Sequence, residues 1–178
     1  MDRFSYLGRI STARLRIEDW ASVPADPHKA SELKTALATA LTPQVTQYLP
    51  LSMQFPRPDS GIDDWIADRS EEAHVLLVKH RDRGTFAGLI LLHAEPGPEQ
   101  RPTINLGYFF HEDYWGQGYA SEAVKALVAA LEAGPPAQLI AGVDKSNAAS
   151  ANVLRKSGFS HDPEQSTATR DYFVFSTG

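Results

Sequence analysis

Two glycines that bracket one residue, Gly116 and Gly118, stand where a strand-like run gives way to a strongly amphipathic helix pattern. The first N–H groups of a helix have no intrahelical partner and lie at the positive end of the helix dipole, so anions bind there. Glycines at such a turn permit backbone angles that a Cβ would penalise, and they let a bulky phosphate approach the main chain. The turn therefore predicts a phosphate site, although any tight strand-to-helix turn can carry the same two glycines.

Length and charge limit the alternatives. The 178 residues suit one domain over residues 1–178 with a substantial core. A formal net charge of -5 argues against a surface that clamps nucleic-acid phosphates, and it agrees better with a cationic or amine substrate. The absence of cysteine excludes disulfides, thiolate metal sites and a cysteine nucleophile. The six histidines show no HExxH-type spacing, so we expect no metal.

The sequence also bears on location. No stretch approaches the ~20 apolar residues that span a bilayer. The residues from Met1 to Ser5 lack the basic-then-apolar layout of a signal peptide. We therefore expect a cytoplasmic protein with no membrane or nucleic-acid partner, and both a monomer and a homodimer remain open.

Hydrophobic periodicity divides the chain into strands and helices. The predicted strands span residues 10–17, 74–80, 85–93, 103–110, 137–144 and 170–176, and the predicted helices span 29–41, a short segment around Trp65, 120–131 and 147–157. Residues 48–60 are predicted to be an ordered, proline-rich loop. Gly158 and Phe159 suit a Schellman stop in which Phe159 packs against Leu154. The strand, helix and strand from residue 103 to residue 144 predict a parallel crossover.

Two other phosphate-binding classes fit poorly. The third glycine of a GxGxxG dinucleotide fingerprint would fall at Ser121, and the turn lies too late in the chain for a full doubly wound sheet. A P-loop is excluded because the chain contains no Gly-Lys-Ser or Gly-Lys-Thr.

Three segments together resemble the GNAT acetyltransferase superfamily, and within it the branch that acetylates the N-termini of ribosomal proteins. They are Leu106-Gly107-Tyr108, the run from Tyr114 to Ala123 (YWGQGYASEA), and the run from Asn147 to Phe159 (NAASANVLRKSGF). The opening run from Thr12 to Ile17 (TARLRI) is similar to the first strand of that family. The resemblance implies an α/β (α+β) GNAT fold. Its mixed, mostly antiparallel sheet has six to seven strands with a splayed parallel pair, and about four helices flank it.

The resemblance assigns the glycine turn to acetyl-CoA. Main-chain amides around Gln117 to Ala120 would hold the pyrophosphate, and the whole run belongs to the implied cofactor site: Trp115, Gly116, Gln117, Gly118, Tyr119 and Ala120. The alternative for Trp115 is an aromatic plug beneath the turn. Phe109 and Phe110 would line the pantetheine arm in the splayed gap, unless they are only core aromatics. A free N–H near Phe109 would stabilise the oxyanion.

The third segment, from Asn147 to Phe159, implies further contacts. Asn147 and Asn152 would touch the pantetheine or the rest of the cofactor, although Asn147 also suits a helix N-cap. Many GNAT enzymes carry a tyrosine general acid where this chain has Leu154. Ser150 is therefore the predicted proton donor to the departing thiolate, with Tyr172 and Tyr119 as alternatives.

Direct transfer also needs a base for the amine. Glu112 is the first candidate because it ends the predicted splayed strand. His111, Asp113 and the pair His93 and Glu95 remain alternatives, each of which also suits a solvated loop.

The resemblance thus implies an enzyme, an N-acetyltransferase that moves an acetyl group from acetyl-CoA to a primary amine by direct attack in a ternary complex. The acceptor is a protein or peptide N-terminus or a small-molecule amine. The alternative is a non-catalytic, degenerate GNAT module that binds CoA or only a partner.

Overall fold

The computed structural model describes residues 4–21, 23, 25–56, 61–98 and 101–178. The strands are β1 (Ile10–Ser11), β2 (Leu15–Asp19), β3 (His74–His80), β4 (Phe86–Glu95), β5 (Thr103–Phe110), β6 (Gln138–Asp144), β7 (Ser160–Asp162) and β8 (Arg170–Ser176). The helices are α1 (Pro27–Ala40), α2 (Pro43–Thr46), α3 (Ile62–Glu72), α4 (Tyr119–Glu132) and α5 (Ala148–Lys156). Short 3-10 helices span Leu51–Met53 and Glu112–Tyr114.

The described strands form one sheet in the order β1-β2-β3-β4-β5-β6-β8-β7. Each neighbouring pair is antiparallel except β5 and β6, which run parallel and are joined through α4. The mixed, mostly antiparallel class predicted from the sequence is confirmed. The described sheet has eight strands because the two-residue β1 and the three-residue β7 add to the longer ones.

The prediction of a single strand over residues 10–17 is wrong, because this segment forms two strands. The chain turns between Ser11 and Leu15, so β1 and β2 pair antiparallel with each other. Thr12 closes this turn: its N–H donates to Leu15 O at 2.9 Å, and its Oγ1 accepts from Leu15 N at 2.8 Å. A threonine hydroxyl that bonds the nearby backbone competes with the ladder of a continuous strand, which explains the break.

Two apolar cores lie on opposite faces of the sheet. The first joins α4 and α5 to side chains such as Leu106 and Phe110 on β5. The second joins α1 and α3 to the other face of β3, β4 and β5, including Phe109. Because side chains alternate along a strand, the neighbours Phe109 and Phe110 of β5 belong to different cores.

The last turn of α5 has the predicted Schellman geometry. Phe159 N donates to Leu154 O at 3.1 Å, and Gly158 N donates to Arg155 O at 3.1 Å. Gly158 has φ 91°, a left-handed conformation that glycine adopts without steric penalty. The stop fixes the length of α5 and directs the chain into β7.

The described part of the proline-rich segment is ordered by contacts with α3. Trp65 Nε1 donates to Met53 O at 3.0 Å, and the buried Arg69 donates through Nη1 to Ser52 O at 2.7 Å. The guanidinium also pairs with Glu72 at 2.7 Å. A buried arginine is stable only with such partners, so this segment is fixed to the second core.

Candidate active site

A gap opens between the two parallel strands. The register of β5 and β6 ends at the pair Asn105 and Ile140. Beyond it, β5 continues against β4 up to Phe110, while β6 continues against β8 up to Asp144. The two strands therefore diverge towards their carboxyl ends, as the predicted splayed pair requires.

Backbone alternation shows which amides of β5 border this gap. His111 N donates to Ala87 O on β4 at 2.8 Å, and Gln138 N at the start of β6 donates to Pro102 O at 2.9 Å. Alternate residues of a strand direct their N–H groups to opposite neighbours. The amides of Tyr108 and Phe110 therefore face the gap.

Phe109 has a different place from the one expected. By the same alternation its N–H is directed to β4, and its side chain packs in the second core at 6.4 Å from the ring of Trp65. Phe110 has its side chain in the first core and its backbone at the gap. Tyr108 and Phe110, rather than Phe109, therefore direct their N–H groups towards the gap.

The glycine turn has the backbone that the sequence predicts. Gly116 has φ 69° and Gly118 has φ 79°, both in the left-handed region. Gly118 is the N-cap of α4, and no atom lies within 4 Å of an ideal Cβ built on Gly116. The N–H groups of Tyr119, Ala120 and Ser121 open the helix and have no intrahelical acceptor. The turn is an open cradle of amides at the positive end of the dipole.

Trp115 is not a buried plug beneath this turn. Its side chain is 46% exposed, and its Nε1 donates to Phe110 O at 2.8 Å. Gln117 Nε2 donates to Asp113 O at 2.7 Å, which closes the turn from the other side. Both side chains therefore hold the turn in place against the end of β5.

An ion pair from the start of the chain supports the first turn of α4. Glu122 accepts from Thr12 Oγ1 at 2.6 Å, from Arg14 N at 2.9 Å and from Arg14 Nε at 2.6 Å. Arg14 also donates through Nη1 to Gln117 O at 3.0 Å, and its Cζ lies 3.9 Å from the ring centroid of Tyr119. Burial acts to raise the pKa of Glu122, but the hydrogen bonds and charge of these partners outweigh it and lower that pKa.

The shifted pKa of Glu122 predicts an acid-dependent loss of stability. A carboxyl whose folded pKa lies below the unfolded value stabilises the fold above the unfolded value, and the contribution is lost as pH falls through the folded pKa. We expect Glu122→Gln to lower the melting temperature at pH 7 and the difference from wild type to shrink below about pH 4. Thermal unfolding across pH tests this. Glu132 is an exposed carboxylate at the end of the same helix, so Glu132→Gln should show neither effect. A melting temperature of Glu122→Gln that stays below that of wild type by the same amount at every pH would contradict the ionic explanation.

A hydroxyl pair connects β5 to α5 beside the gap. Tyr108 OH and Ser150 Oγ are 2.8 Å apart, and Tyr108 OH also donates to Ser150 O at 3.3 Å. Asn147 is the N-cap of α5, and its Oδ1 accepts from Ser150 N at 3.1 Å. Burial raises the pKa of Tyr108 to about 12, against the opposing hydrogen bond with Ser150. The phenol is therefore neutral near pH 7 and keeps its proton for the Ser150 contact.

The structure brings Ser150 and Asn147 together but leaves Asn152 apart from them. Asn152 is exposed on α5, and its Oδ1 accepts from Arg155 Nη1 at 3.4 Å. Tyr108 was not assigned a role from the sequence. Its position beside Gly107, in a segment that carries the family resemblance, was the one sequence feature that pointed to it. The sequence does not reveal its contact with Ser150, which lies 42 positions away.

The alternative proton donors have other neighbours. Tyr119 is buried against Tyr114, with ring centroids 5.1 Å apart. Tyr172 lies on β8 opposite Gly142, on the face of the sheet away from α5. Leu154 is fully buried in the first core. Tyr108 is thus the tyrosine that contacts Ser150.

Glu112 lies beyond the end of β5. Its carboxylate accepts a hydrogen bond from Thr42 Oγ1 at the N-cap of α2. Among the described residues, no hydrogen bond joins Glu112 to Ser150, whose own partners are Tyr108 and Asn147.

The other candidate bases are also held by local contacts. His111 Nδ1 accepts from Asp113 N at 3.1 Å. His93 Nδ1 lies 2.6 Å from Glu72 O, and its Nε2 lies 3.4 Å from Glu95. Because a carbonyl only accepts, His93 carries its proton on Nδ1.

The described residues hold no group of three or more His, Cys, Asp or Glu side chains positioned to bind a metal ion. Among the helices described, none is both long and apolar enough to cross a membrane.

The family follows from this fold and from a sequence match. The family model of the acetyltransferase (GNAT) domain matches residues 24–160, which include the diverging strands, the glycine turn and α5. The chain belongs to the GNAT acetyltransferase family. Among curated proteins, none matches the chain in sequence.

Solved structures share the fold across nearly the whole chain. A GNAT-family acetyltransferase from Bacillus anthracis is 17% identical with a TM-score of 0.68, covering 94% of this chain and 96% of its own. An acetyltransferase from Agrobacterium tumefaciens is 21% identical with a TM-score of 0.61, covering 94% and 93%.

The ribosomal-protein alpha-N-acetyltransferase RimL, solved with coenzyme A, is 17% identical with a TM-score of 0.67 and covers 95% of this chain and 98% of its own. That complex contains a disulfide between coenzyme A and a cysteine. This chain has no cysteine, so it cannot form such a bond.

Proposed function

We propose that the protein is an acetyl-CoA-dependent N-acetyltransferase that joins acetyl-CoA and a primary amine in one ternary complex. The observation that carries the proposal is the divergence of β5 and β6 beyond Asn105 and Ile140, directly before the glycine turn. An amide-lined gap and an amide cradle then follow each other along one path. Such a path suits a long ligand with a polar arm and a pyrophosphate.

The residues present fit this ligand. The amides of Gln117, Tyr119 and Ala120 would bind the pyrophosphate, and the space above Gly116 holds no atom within 4 Å of a Cβ position. The backbone of Tyr108 and Phe110 would pair with the pantetheine arm, and Asn147 caps the helix beside it. When bound, acetyl-CoA supplies an activated acetyl thioester.

The chain's own groups would then act on the reacting atoms. The gap-facing N–H of Tyr108 polarises the thioester carbonyl and stabilises negative charge on its oxygen. The amine nitrogen bonds to the acyl carbon, and the carbon–sulfur bond breaks. Ser150 Oγ donates a hydrogen bond to the leaving sulfur, while neutral Tyr108 holds the hydroxyl in position. The amine nitrogen loses one proton to Glu112 through water, and the CoA thiolate takes one proton from solvent, so that the acetylated amine and CoA are the products.

The acceptor is proposed to be the amine of a peptide or protein N-terminus, because the segments 106–123 and 147–159 resemble the branch with that substrate. Small-molecule amines are the second acceptor class. We also propose that residues 1–178 act as one acetyltransferase domain.

A thiol-release assay tests the proposal. The protein is incubated with acetyl-CoA and a panel of peptides, amino acids and polyamines, and free CoA is measured with and without each amine. Acceptor-dependent release with one acetyl group gained by the acceptor, read by mass spectrometry, supports the enzyme. Tight binding of acetyl-CoA by calorimetry with no transfer to any acceptor would favour the non-catalytic module instead.

Glu112 is the proposed acceptor of the amine proton, through ordered water. We expect Glu112→Gln to reduce kcat/KM for the acceptor about 100-fold, at the low end of what general bases contribute. Affinity for CoA, measured by calorimetry, should not change. Asp113→Asn is the matched control because Asp113 is the adjacent exposed carboxylate. Equal kinetics of Glu112→Gln and wild type would exclude the role.

A further inference from the structure

The face of the sheet opposite α4 and α5 gives a second approach to the gap. Ile104 and Leu139 are paired and belong to the first core, so the next pair, Asn105 and Ile140, points to the opposite face. Two residues further along, Gly107 on β5 and Gly142 on β6 share that face and border the gap.

Helices cover only part of this opposite face. The second core, which α1 and α3 cover, takes its described sheet residues from β3, β4 and β5 and none from β6 or β8. On those two strands Ile140, Tyr172 and Val174 are only partly buried and Gly142 is exposed. An incoming molecule therefore reaches the gap from this side, while Ser150 and Tyr108 act from the other.

Two side chains of β8 lie across Gly142. An ideal Cβ on Gly142 would stand 3.0 Å from Tyr172 Cε1 and 3.1 Å from Arg170 Cδ. The same construction on Gly107 meets no atom within 4 Å. One border of the gap is thus open, and the other is walled by an aromatic ring and the stem of an arginine.

The guanidinium of Arg170 lacks a close carboxylate. Within the described part of the chain, no Asp or Glu oxygen lies within 4 Å of its nitrogens. The carboxylate of its cross-strand neighbour Asp144 accepts hydrogen bonds from the hydroxyl and the N–H of Ser146, and these bonds together with the charge of Arg170 lower the pKa of Asp144. Arg170 is partly buried, and its side chain makes no hydrogen bond to another residue of the described chain. A planar guanidinium in this state suits a bidentate carboxylate partner.

We propose that Arg170 binds a carboxylate of the acceptor, so that the favoured substrate is an amine with a carboxylate close to its nitrogen. Tyr172 forms the adjacent wall. The carboxylate belongs either to a free amino acid or to an acidic side chain near a peptide N-terminus. This inference rests on the proposed acetyl transfer and specifies its acceptor.

The test compares matched acceptors in which only the carboxylate differs. One arm uses glutamate and other free amino acids against their amides; the other uses peptides with Glu or Gln as the second residue. We expect acid-bearing acceptors to have at least a tenfold higher kcat/KM in one arm, which identifies the carboxylate's source. Arg170→Gln should remove this preference, and Arg170→Lys should restore part of it. Arg155→Gln is the control, because Arg155 lies over Phe173 on the other face.

A binding measurement separates this inference from the proposed function. Acid and amide acceptors are titrated by calorimetry into the wild-type protein and Arg170→Gln, each saturated with CoA. If Arg170→Gln binds the acid acceptor more weakly than wild type does but binds the amide acceptor equally well, the result supports a carboxylate contact of Arg170, even if no acetyl transfer occurs. Equal binding of acid and amide by wild type, or an equal loss of both in Arg170→Gln, overturns the inference. Absence of thiol release with every amine would count against the proposed function instead.

Discussion

Gly116→Ala is expected to weaken CoA binding by about 10- to 100-fold. An alanine at φ 69° is strained by about 1–2 kcal/mol, and the chain relieves this strain by rotating the peptide that carries the Gln117 N–H. Loss of one hydrogen bond to a charged group costs about 1.5–3 kcal/mol, which gives the expected range. Isothermal titration with CoA measures the effect.

The chain contains a matched control for this experiment. Gly84, in the turn between β3 and β4, has φ 68°, and it too has no atom within 4 Å of its Cβ position. Gly84→Ala therefore carries the same backbone strain and should lower thermal stability as much as Gly116→Ala does. Its affinity for CoA should stay at the wild-type value. A similar loss of affinity in both variants would mean that general destabilisation, not the turn, explains the result.

The parts of the fold that local signals determine were predictable. The strand over residues 103–110 follows from its β-branched and aromatic run, and the stop of α5 follows from Gly158 and Phe159. The conformation of the glycine turn was equally predictable, because the positive φ of Gly116 and Gly118 depends only on neighbouring residues. These features depend on residues within a few positions of each other.

Features that depend on distant partners were not predictable. The break between β1 and β2 is set by Thr12, whose hydroxyl also binds Glu122 across 110 positions. The exposed Trp115 looked like a plug because an aromatic next to a turn suggests burial, and only the position of Phe110 O explains its orientation. The sequence predicted a free N–H near Phe109, but the direction of each amide on β5 depends on the register with β4 and β6.

Ser150→Ala is expected to lower kcat by about 100-fold with little change in CoA affinity. A donor aimed at developing charge acts mainly in the transition state, and removing one such donor typically costs a factor of about 10²–10³. The substitution leaves Ser150 N available to Asn147 Oδ1, so the N-cap of α5 is preserved. Steady-state kinetics with saturating acceptor give kcat, and calorimetry gives the affinity.

Ser157→Ala is the matched control on the same helix. Its Oγ donates to Val153 O at 2.8 Å, and that carbonyl also accepts from Ser157 N, so the loss of the hydroxyl is local. This variant should keep the wild-type kcat. Turnover of Ser150→Ala equal to that of the control would remove Ser150 from the mechanism.

The double variant with Tyr108→Phe distinguishes a positioning role from an independent one. If Tyr108 acts by holding the Ser150 hydroxyl, Tyr108→Phe lowers kcat less than Ser150→Ala, and the two effects are not additive. Because the phenol is neutral with a pKa of about 12, the pH profile of kcat near neutrality should have the same shape in wild type and Tyr108→Phe. Additive losses, or a changed profile, would assign Tyr108 its own proton-transfer step instead of the placement of Ser150.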